Sequence, residues 1–259
     1  MLLAAADLTG YIMERHRQQV RALVVAPMLA IAVVGEAANA GFIRAKRRYG
    51  EEIGAAVTVE SVDDQAALLK LIQTWNEAPA VTGLIVQLPL PTDFDTDAAV
   101  AAITATKDVD GLREDSSFES ATAKGIMWLL SRADVNLKTA RVCVVGQGQL
   151  VGQPVAAMLE ASGATVVRCD ISTVDLTDRT KAADVIISGV GRAGLITSAM
   201  VKSGAVVIDA GTSLVDGRPV GDADPALYDR ADIIITPVPG GVGPMTVAAL
   251  FDSLLIAAG

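Results

Sequence analysis

Two successive series of short apolar segments, each interleaved with helical patterns, constrain the fold of this chain more than any other feature. The first series has apolar segments at 29–35, 56–59 and 83–86 and helical spacing at 39–53, 63–75 and 97–103. The second has apolar segments at 141–145, 164–168, 185–188, 205–208 and 233–235, with a helix predicted at 153–161. Apolar strands that alternate with helices are typical of parallel sheets covered on both faces. The sequence therefore predicts an α/β protein of two domains, with the boundary in the polar stretch 110–119.

Composition limits the chemistry that is open to the chain. The net charge of −9 argues against a nucleic-acid partner, because polyanion binding needs a basic field. A single histidine, His16, and two cysteines, Cys143 and Cys169, are too few for a His/Cys metal centre, so no metal is expected. His16 lies in a charged stretch and is predicted to sit on a solvated helix face.

The sequence gives no indication of export or of membrane insertion. Its start has no basic region of the kind that opens a signal peptide. No uncharged apolar run approaches the ~18 residues that a membrane-spanning helix needs. We therefore expect a soluble cytoplasmic protein with reduced thiols and no membrane partner.

A glycine-rich turn, VVGQGQLVG at 144–152, closes one predicted strand and opens a helix. Glycines at 146, 148 and 152 would permit a tight turn and close approach of the backbone to a pyrophosphate at the helix N-terminus. Asp170 ends the next strand, where a carboxylate can bind ribose hydroxyls and repel a 2′-phosphate. DAGTS at 209–213 ends another strand of the same domain and is a second candidate contact. The pattern favours a dinucleotide site, with an ordinary βα turn as the alternative.

An amine, an amide and a carboxylate stand near element ends of the first domain. Lys46 lies one turn after Phe42 on a predicted helix, Gln87 follows a buried strand, and Asp110 lies in a turn. Together the three side chains could bind a polar heterocycle. Each also has a simpler interpretation, as a solvated charge, a capping amide or a turn residue.

The segment PVPGGVGP at 237–244 combines three prolines and three glycines between a predicted strand and the last helix, which we expect to begin near Pro244. Proline stiffens such a segment and glycine removes side chains from it. By itself the segment is consistent with a rigid connector between domains.

In this order along the chain, the motifs resemble those of the bifunctional methylenetetrahydrofolate dehydrogenase/methenyltetrahydrofolate cyclohydrolase family. They are VQLPLP at 86–91, KDVDGL at 107–112, VVGQGQLVGQP at 144–154, GAVVIDAG at 204–211, GDAD at 221–224 and TPVPGGVGPMT at 236–246. The resemblance implies a folate domain, 1–118 with the C-terminal helix 244–259, and a Rossmann-type cofactor domain, 119–243, with a cleft between them. It also implies a homodimer that acts on tetrahydrofolate derivatives.

The resemblance assigns roles to single residues. Lys46 matches the catalytic lysine, Gln87 the glutamine that orients it, and Asp110 the aspartate that binds the pterin. Folate contacts are implied at Phe42, Val86, Leu88, Pro239, Gly240, Gly241 and Val242. Contacts to NAD(P) are implied at Gly146, Gln147, Gly148, Val151, Gly152, Asp170, Ile171 and Thr212.

The chain departs from the family pattern at four places. Phe42 stands where tyrosine is usual, which removes a hydroxyl and raises the alternative of a dehydrogenase without cyclohydrolase activity. Gln147 and the pair Asp170-Ile171 replace the arginine and serines that surround the 2′-phosphate of NADP, so we predict that NAD is preferred. Arg168 and Arg192 are two cations that could offset this loss. Ser120 to Ala123 replaces a proline-containing stretch, which we interpret as local repacking.

Two further alternatives remain, the first of them from another class of protein. One is a non-catalytic folate or nucleotide sensor, against which the presence of Lys46, Gln87 and Asp110 argues. The other is a different two-domain dehydrogenase, acting on shikimate or an amino acid, against which VQLPLP and PVPGGVGP argue.

Overall fold

The computed structural model describes residues 1–35 and 40–259, and it confirms the predicted α/β class with parallel sheets. The chain divides into two compact units. The N-terminal unit consists of Thr9–Ala121 and Val247–Gly259, and the C-terminal unit of Met1–Leu8 and Thr122–Thr246. The predicted division placed all of 1–118 in one domain, whereas the first eight residues cluster with the C-terminal unit.

The N-terminal unit contains a three-stranded parallel sheet with strand order β2-β1-β3. Its strands are β1 (Met28–Val34), β2 (Ala56–Val62) and β3 (Gly83–Val86), and its helices are α1 (Ala6–Ala22), α2 (Ala40–Ile53), α3 (Gln65–Glu77) and α4 (Thr96–Ala102). On one face of the sheet, side chains of β1 and β3 pack on α3 around Leu68, Ile72 and Trp75. Asp64 is the N-cap of α3, and its side chain accepts a hydrogen bond from the backbone N–H of Ala67.

The sheet continues past β3 through a later segment of the chain. Leu84 and Asp108 form a parallel bridge, and Leu84 N donates to Lys107 O at 2.8 Å. The bridge holds this segment beside β3, and Asp110, two residues further on, is close enough to Lys46 for their charges to interact.

The C-terminal unit contains a five-stranded, wholly parallel sheet with strand order β10-β7-β6-β4-β5. Its strands are β4 (Arg141–Val145), β5 (Thr165–Cys169), β6 (Val185–Ser188), β7 (Val206–Asp209) and β10 (Ile234–Ile235), beside a hairpin of β8 (Ser213–Val215) and β9 (Arg218–Val220). The helices are α5 (Ala121–Arg132), α6 (Gly152–Ala161) and α7 (Leu176–Ala182), with 3₁₀ turns at Ser198–Met200 and Pro225–Leu227. The last helix, α8 (Val242–Ala257), begins in this unit, and its residues from Val247 onward belong to the N-terminal unit. The chain leaves β4 to form β5 on one side and β6 on the other, so the strand order reverses there. Ligands of such sheets bind at this point, beyond the carboxyl ends of the strands.

The first residues of the chain extend the edge of this sheet beyond β10. Leu2 pairs with Ile235, Leu3 N donates to Ile235 O at 2.7 Å, and Ile235 N donates to Met1 O at 3.0 Å. These hydrogen bonds explain why residues 1–8 belong to the C-terminal unit. The pairing joins residues more than 230 positions apart, and the sequence analysis did not predict it.

No helix in the described part of the chain has the length and apolar character needed to cross a membrane.

Candidate active site

Lys46 and Gln87 are in direct contact in the N-terminal unit. Lys46 Nζ donates to Gln87 Oε1 at 2.8 Å, and the lysine is only 6% exposed. Gln87 Nε2 donates in turn to Leu88 O at 3.0 Å, which fixes the amide so that its oxygen faces the amine. The two residues are therefore in contact, as the family resemblance implied.

Burial sets the electrostatics of this group. It lowers the pKa of Lys46 because the ammonium ion loses its water, while the charge of Asp110 partly opposes the shift. Burial likewise raises the pKa of Asp110, against the effect of Lys46 and with a further contribution from Asp108. Lys46 and Asp110 therefore influence each other's ionisation, as expected of groups that share one site. Perturbed ionisable groups of this kind cluster at functional sites.

The other polar residues of the KDVDGL motif hold the backbone. Lys107 Nζ donates to the carbonyls of Trp75, Asn76 and Ala78 at 2.8–3.0 Å, at the C-terminal end of α3. Asp108 is 1% exposed, and its Oδ2 accepts the N–H groups of Leu112 and Arg113, both at 2.9 Å. The motif thus places Asp110 by anchoring the chain before and after it. Gly111, at φ +66°, has no room for a side chain because a Cβ would overlap the backbone of Glu119.

The predicted folate contacts of this unit differ in accessibility. Phe42 is half-buried one turn before Lys46, and Leu88 is half-buried ahead of the cis Leu88–Pro89 bond. Val86 is 3% exposed, and its side chain packs in the core beside α3. Any ligand contact at Val86 therefore has to use its backbone.

The glycine-rich turn follows β4 and opens α6, as predicted. Gly146 has φ +91°, which favours glycine, and a Cβ at Gly152 would overlap the carbonyl of Gly146. Gly148 has open space where a side chain would be. The bare, open backbone at the start of a helix fits the pyrophosphate of a dinucleotide. Val151, the residue before α6, packs against Gly189.

The orientations of Gln147 and Asp170 determine which polar groups are available at the predicted ribose site. Gln147 Nε2 donates to the carbonyls of Val144 and Gly146 at 3.1 and 3.0 Å, so this amide folds back on its own turn. Asp170 is exposed directly after β5, and its carboxylate accepts Ser172 N at 2.9 Å and Ser172 Oγ at 2.6 Å. These hydrogen bonds lower the pKa of Asp170. Ile171, beside it, is fully exposed.

Of the two arginines considered for a 2′-phosphate, Arg168 is already engaged. Its guanidinium donates to both carboxylate oxygens of Glu160 at 3.0 and 2.8 Å. Arg192 is exposed on the segment after β6. Thr212, the last of the predicted cofactor contacts, is exposed after β7.

PVPGGVGP forms a turn in the C-terminal unit and the start of α8. The helix begins at Val242, two residues before the predicted Pro244, which occupies the first helical turn, where proline costs no hydrogen bond. Val238–Pro239 is cis, and Gly240, at φ +107°, accepts Ala5 N at 2.9 Å through its carbonyl. At Gly241 a Cβ would lie 2.7 Å from the carbonyl oxygen of Pro237.

The prediction for His16 is wrong, because its side chain is fully buried. Nδ1 lies 3.0 Å from Tyr49 Oη, and Nε2 lies 3.1 Å from Asp252 Oδ1. The partners come from α2 and α8, so the environment of His16 depends on residues distant in sequence. Within the described ranges, no group of three or more His, Cys, Asp or Glu side chains is placed to hold a metal ion.

Comparison with known proteins gives two family matches and close structural relatives. Residues 3–110 match the catalytic domain of tetrahydrofolate dehydrogenase/cyclohydrolase, and residues 120–259 match the NAD(P)-binding domain of the same family. Bifunctional protein FolD of Nautilia profundicola is 40% identical over 249 residues, 90% of this chain and 87% of the relative.

Two solved structures are similar over the whole chain. The bifunctional FolD methylenetetrahydrofolate dehydrogenase/cyclohydrolase of Campylobacter jejuni has a TM-score of 0.93 at 35% identity and covers 100% of this chain and 98% of its own. The Trypanosoma brucei enzyme, in complex with NADP and an inhibitor, has a TM-score of 0.92 at 30% identity, with coverages of 100% and 97%. The chain belongs to the tetrahydrofolate dehydrogenase/cyclohydrolase family.

Proposed function

We propose that Lys46, Gln87 and Asp110 carry out the folate chemistry of this family in this chain. The chain is a bifunctional enzyme. It oxidises 5,10-methylenetetrahydrofolate to 5,10-methenyltetrahydrofolate with NAD(P) and hydrolyses that product to 10-formyltetrahydrofolate. The observation that carries the residue assignment is the hydrogen bond from the buried Lys46 Nζ to Gln87 Oε1 at 2.8 Å.

In the hydrolytic step, water adds to the methenyl carbon and loses a proton, and a carbon–nitrogen bond of the ring then breaks. An amine with a lowered pKa is neutral more often near pH 7, so Lys46 can accept the proton and return it to the departing nitrogen. Gln87 keeps the lone pair of the amine in one direction, because its own amide is anchored to Leu88 O. Asp110 offers a carboxylate to N–H groups of the pterin.

A variant pair on α2 tests the assignment. Lys46→Met should lower enzymatic decay of the methenyl absorbance at least about 100-fold, because general acid–base groups typically contribute that much. Arg48→Met is the matched control, since Arg48 lies on the same helix with its side chain 81% exposed, and it should keep the wild-type rate. A folded Lys46→Met protein with both activities intact would remove Lys46 from the mechanism.

The glycine-rich turn of the C-terminal unit fits a nicotinamide dinucleotide. Gly146, Gly148 and Gly152 would admit the pyrophosphate, and Asp170 would bind the ribose hydroxyls. A nicotinamide bound there would supply the acceptor for the hydride that leaves the methylene carbon. Ile171, Val151 and Thr212 supply further contacts in this proposal.

We propose that this chain prefers NAD to NADP. Gln147 is turned toward its own backbone, Arg168 is paired with Glu160, and the exposed carboxylate of Asp170, directly after β5, would face the ribose in this proposal. Because Asp170 is exposed, solvent screens its repulsion of a phosphate more than the sequence alone suggested. We expect kcat/KM to favour NAD by about ten-fold, equivalent to one lost charge-assisted contact.

Initial rates with NAD and NADP on methylenetetrahydrofolate test this preference. Asp170→Ser should lower the ratio of kcat/KM with NAD to kcat/KM with NADP. The control is Asp175→Ser, which should leave this ratio unchanged, because Asp175 is a nearby exposed aspartate that is paired with Arg179. Arg192→Ala measures how much Arg192 contributes to any use of NADP. A clear NADP preference of the wild-type enzyme would contradict the roles given to Gln147 and Asp170.

Four further proposals follow from the family resemblance. The enzyme acts as a homodimer, works in the cytoplasm and needs no metal. Residues 1–118 with 244–259 bind folate, and 119–243 bind the cofactor. A solution mass by light scattering and activity after dialysis against a chelator test the first and third.

A further inference from the structure

Two buried carboxylates lie under the carboxyl edge of the five-stranded sheet. The sequence analysis assigned neither of them a role, although it named 209–213 as a candidate cofactor contact. Asp209 ends β7 and is 1% exposed, and Asp222 follows β9 and is fully buried. Buried carboxylates are retained only where donors compensate for the lost water. Their partners therefore indicate what these two residues hold in place.

Three donors to the Asp222 carboxylate belong to the segment 188–192, which begins at the last residue of β6. Ser188 Oγ and Val190 N donate to Oδ2 at 2.6 and 2.8 Å, and Arg192 N donates to Oδ1 at 2.7 Å. One carboxylate thus fixes the backbone at two positions of a five-residue segment. Hydrogen bonds to an ionised acceptor are about twice as strong as neutral ones.

Asp209 holds Asp222 in turn. Its Oδ1 accepts Asp222 N at 2.9 Å, and its Oδ2 accepts Ala223 N at 2.8 Å. Two glycines make room for the pair: a Cβ at Gly221 would overlap the carboxylate of Asp209, and a Cβ at Gly211 would overlap that of Asp222. The DAG and GDAD motifs are therefore two halves of one arrangement.

The segment held by Asp222 packs directly on the proposed cofactor loops. A Cβ at Gly146 would lie 3.0 Å from Val190 Cγ2, and a Cβ at Gly189 would lie 2.7 Å from Val151 Cγ1. On the other side, Ser213 Oγ donates to Gly191 O at 2.6 Å, next to Thr212. The segment thus lies between the glycine-rich turn and the loop after β7, and a shift of its backbone would displace both.

We propose that Asp222 is a positioning residue for the nicotinamide cofactor, which acts by fixing the backbone of Val190 and Arg192 against the glycine-rich turn. The inference rests on the proposed function, since it assumes that the cofactor binds at this edge. Asp222 is buried, so it acts through the segment and not by touching the cofactor.

Asp222→Asn isolates this role with a change of one atom. Whichever amide atom takes the place of Oδ1 or Oδ2, the new NH₂ group faces a backbone N–H, either of Arg192 or of Val190. The Ser188 hydroxyl can rotate to accept, but a backbone N–H cannot. One of the two backbone groups therefore loses its acceptor, and the segment has to move or to stay unpaired.

The experiment measures KM for NAD and kcat in the dehydrogenase reaction, together with hydrolysis of methenyltetrahydrofolate, a step that transfers no hydride. We expect Asp222→Asn to raise KM for NAD about ten-fold, with kcat at saturating NAD and the hydrolysis rate each changed less than about three-fold. Amide hydrogen exchange over 189–193 should accelerate while that of β4 stays slow. Asp184→Asn is the matched control, because Asp184 precedes β6 at the opposite edge of the sheet, where it accepts Arg141 N at 2.8 Å. Its KM for NAD should stay at the wild-type value.

The outcomes separate this inference from the proposed function. A wild-type enzyme that neither reduces NAD nor hydrolyses the methenyl compound would refute the proposed function itself. An active wild type with an unchanged KM for NAD in Asp222→Asn would refute only the positioning role, as would an equal rise of KM in Asp184→Asn. If Asp222→Asn does not fold, Ser188→Ala decides, since it removes one donor and keeps the carboxylate. We expect KM for NAD to rise two- to three-fold in Ser188→Ala, and an unchanged KM would overturn the proposal.

Discussion

Replacement of Gln87 by Glu would test the role of Lys46 by moving its pKa in a known direction. The substitution places a carboxylate where Oε1 now accepts Lys46 Nζ at 2.8 Å. At an effective dielectric constant of ~20, two unit charges about 3 Å apart attract by about 4–6 kcal/mol. Burial of the new carboxylate, one oxygen of which would face Leu88 O, offsets about half of this. A net gain of about 2–3 kcal/mol for the ammonium form raises the pKa of Lys46 by about two units.

The consequence for hydrolysis follows from the sign of that shift. If neutral Lys46 accepts the proton, the rate rises with pH through the pKa of Lys46, and Gln87→Glu moves this rise about two units higher. Near neutral pH the rate should then fall about 100-fold. The assay follows the methenyl absorbance from about pH 6.5 to 9, with the spontaneous rate subtracted.

Gln87→Met serves as the control because it removes the acceptor without adding a charge. In this variant the rise in rate should not move to higher pH. A Gln87→Glu profile that coincides with that of the wild type, or that shifts to lower pH, would refute the idea that neutral Lys46 is the active form.

Three other predictions concern stability and turnover. Lys107→Met should lower the free energy of unfolding by about 2 kcal/mol, because three carbonyls at the end of α3 lose their donor. Urea unfolding measures this loss. An equal loss in Lys70→Met, on the exposed face of α3, would contradict the prediction. Gly241→Ala should reduce dehydrogenase kcat at least about ten-fold, because its Cβ would lie 2.7 Å from a backbone oxygen. The circular dichroism spectrum should show that the fold is retained. Gly10→Ala, where a Cβ meets open space, is the control, and normal kinetics of Gly241→Ala would show that the loop is only a connector. Burial raises the pKa of Asp209 to about 6, so its contribution to stability is present below about pH 4 and is lost as pH rises through 6. The free energy of unfolding of wild type relative to Asp209→Asn should therefore fall by about 2 kcal/mol between pH 4 and 7. A constant difference in urea unfolding would count against this prediction.

Local pattern determined most of the architecture. The apolar segments predicted at 83–86, 141–145 and 185–188 are strands with those same bounds, and most other elements shift by one or two residues. This succeeds because a buried parallel strand and an amphipathic helix each impose a period on nearby residues. The bounds of α1 were not predicted, although a helix was expected at His16, and the α5 and α7 helices and the β8–β9 hairpin were not predicted.

The sequence also placed the residues of the candidate site near element ends, and the motifs identified the family. In the fold, Lys46 of α2 contacts Gln87 after β3, and its charge interacts with that of Asp110. The orientation of each side chain could not be predicted from the sequence. The inward fold of Gln147 and the pairing of Arg168 with Glu160 depend on side-chain geometry that no spacing specifies.

Tertiary structure alone decided the burial of His16, the pairing of Leu2 with Ile235 and the contact between Asp222 and Val190. Each joins residues separated by more than 30 positions, and a single sequence carries no periodic signal for such contacts. A buried ionisable group and an exposed one have the same letter in the sequence. The partners that make burial tolerable come from other elements, so only the folded chain distinguishes the two.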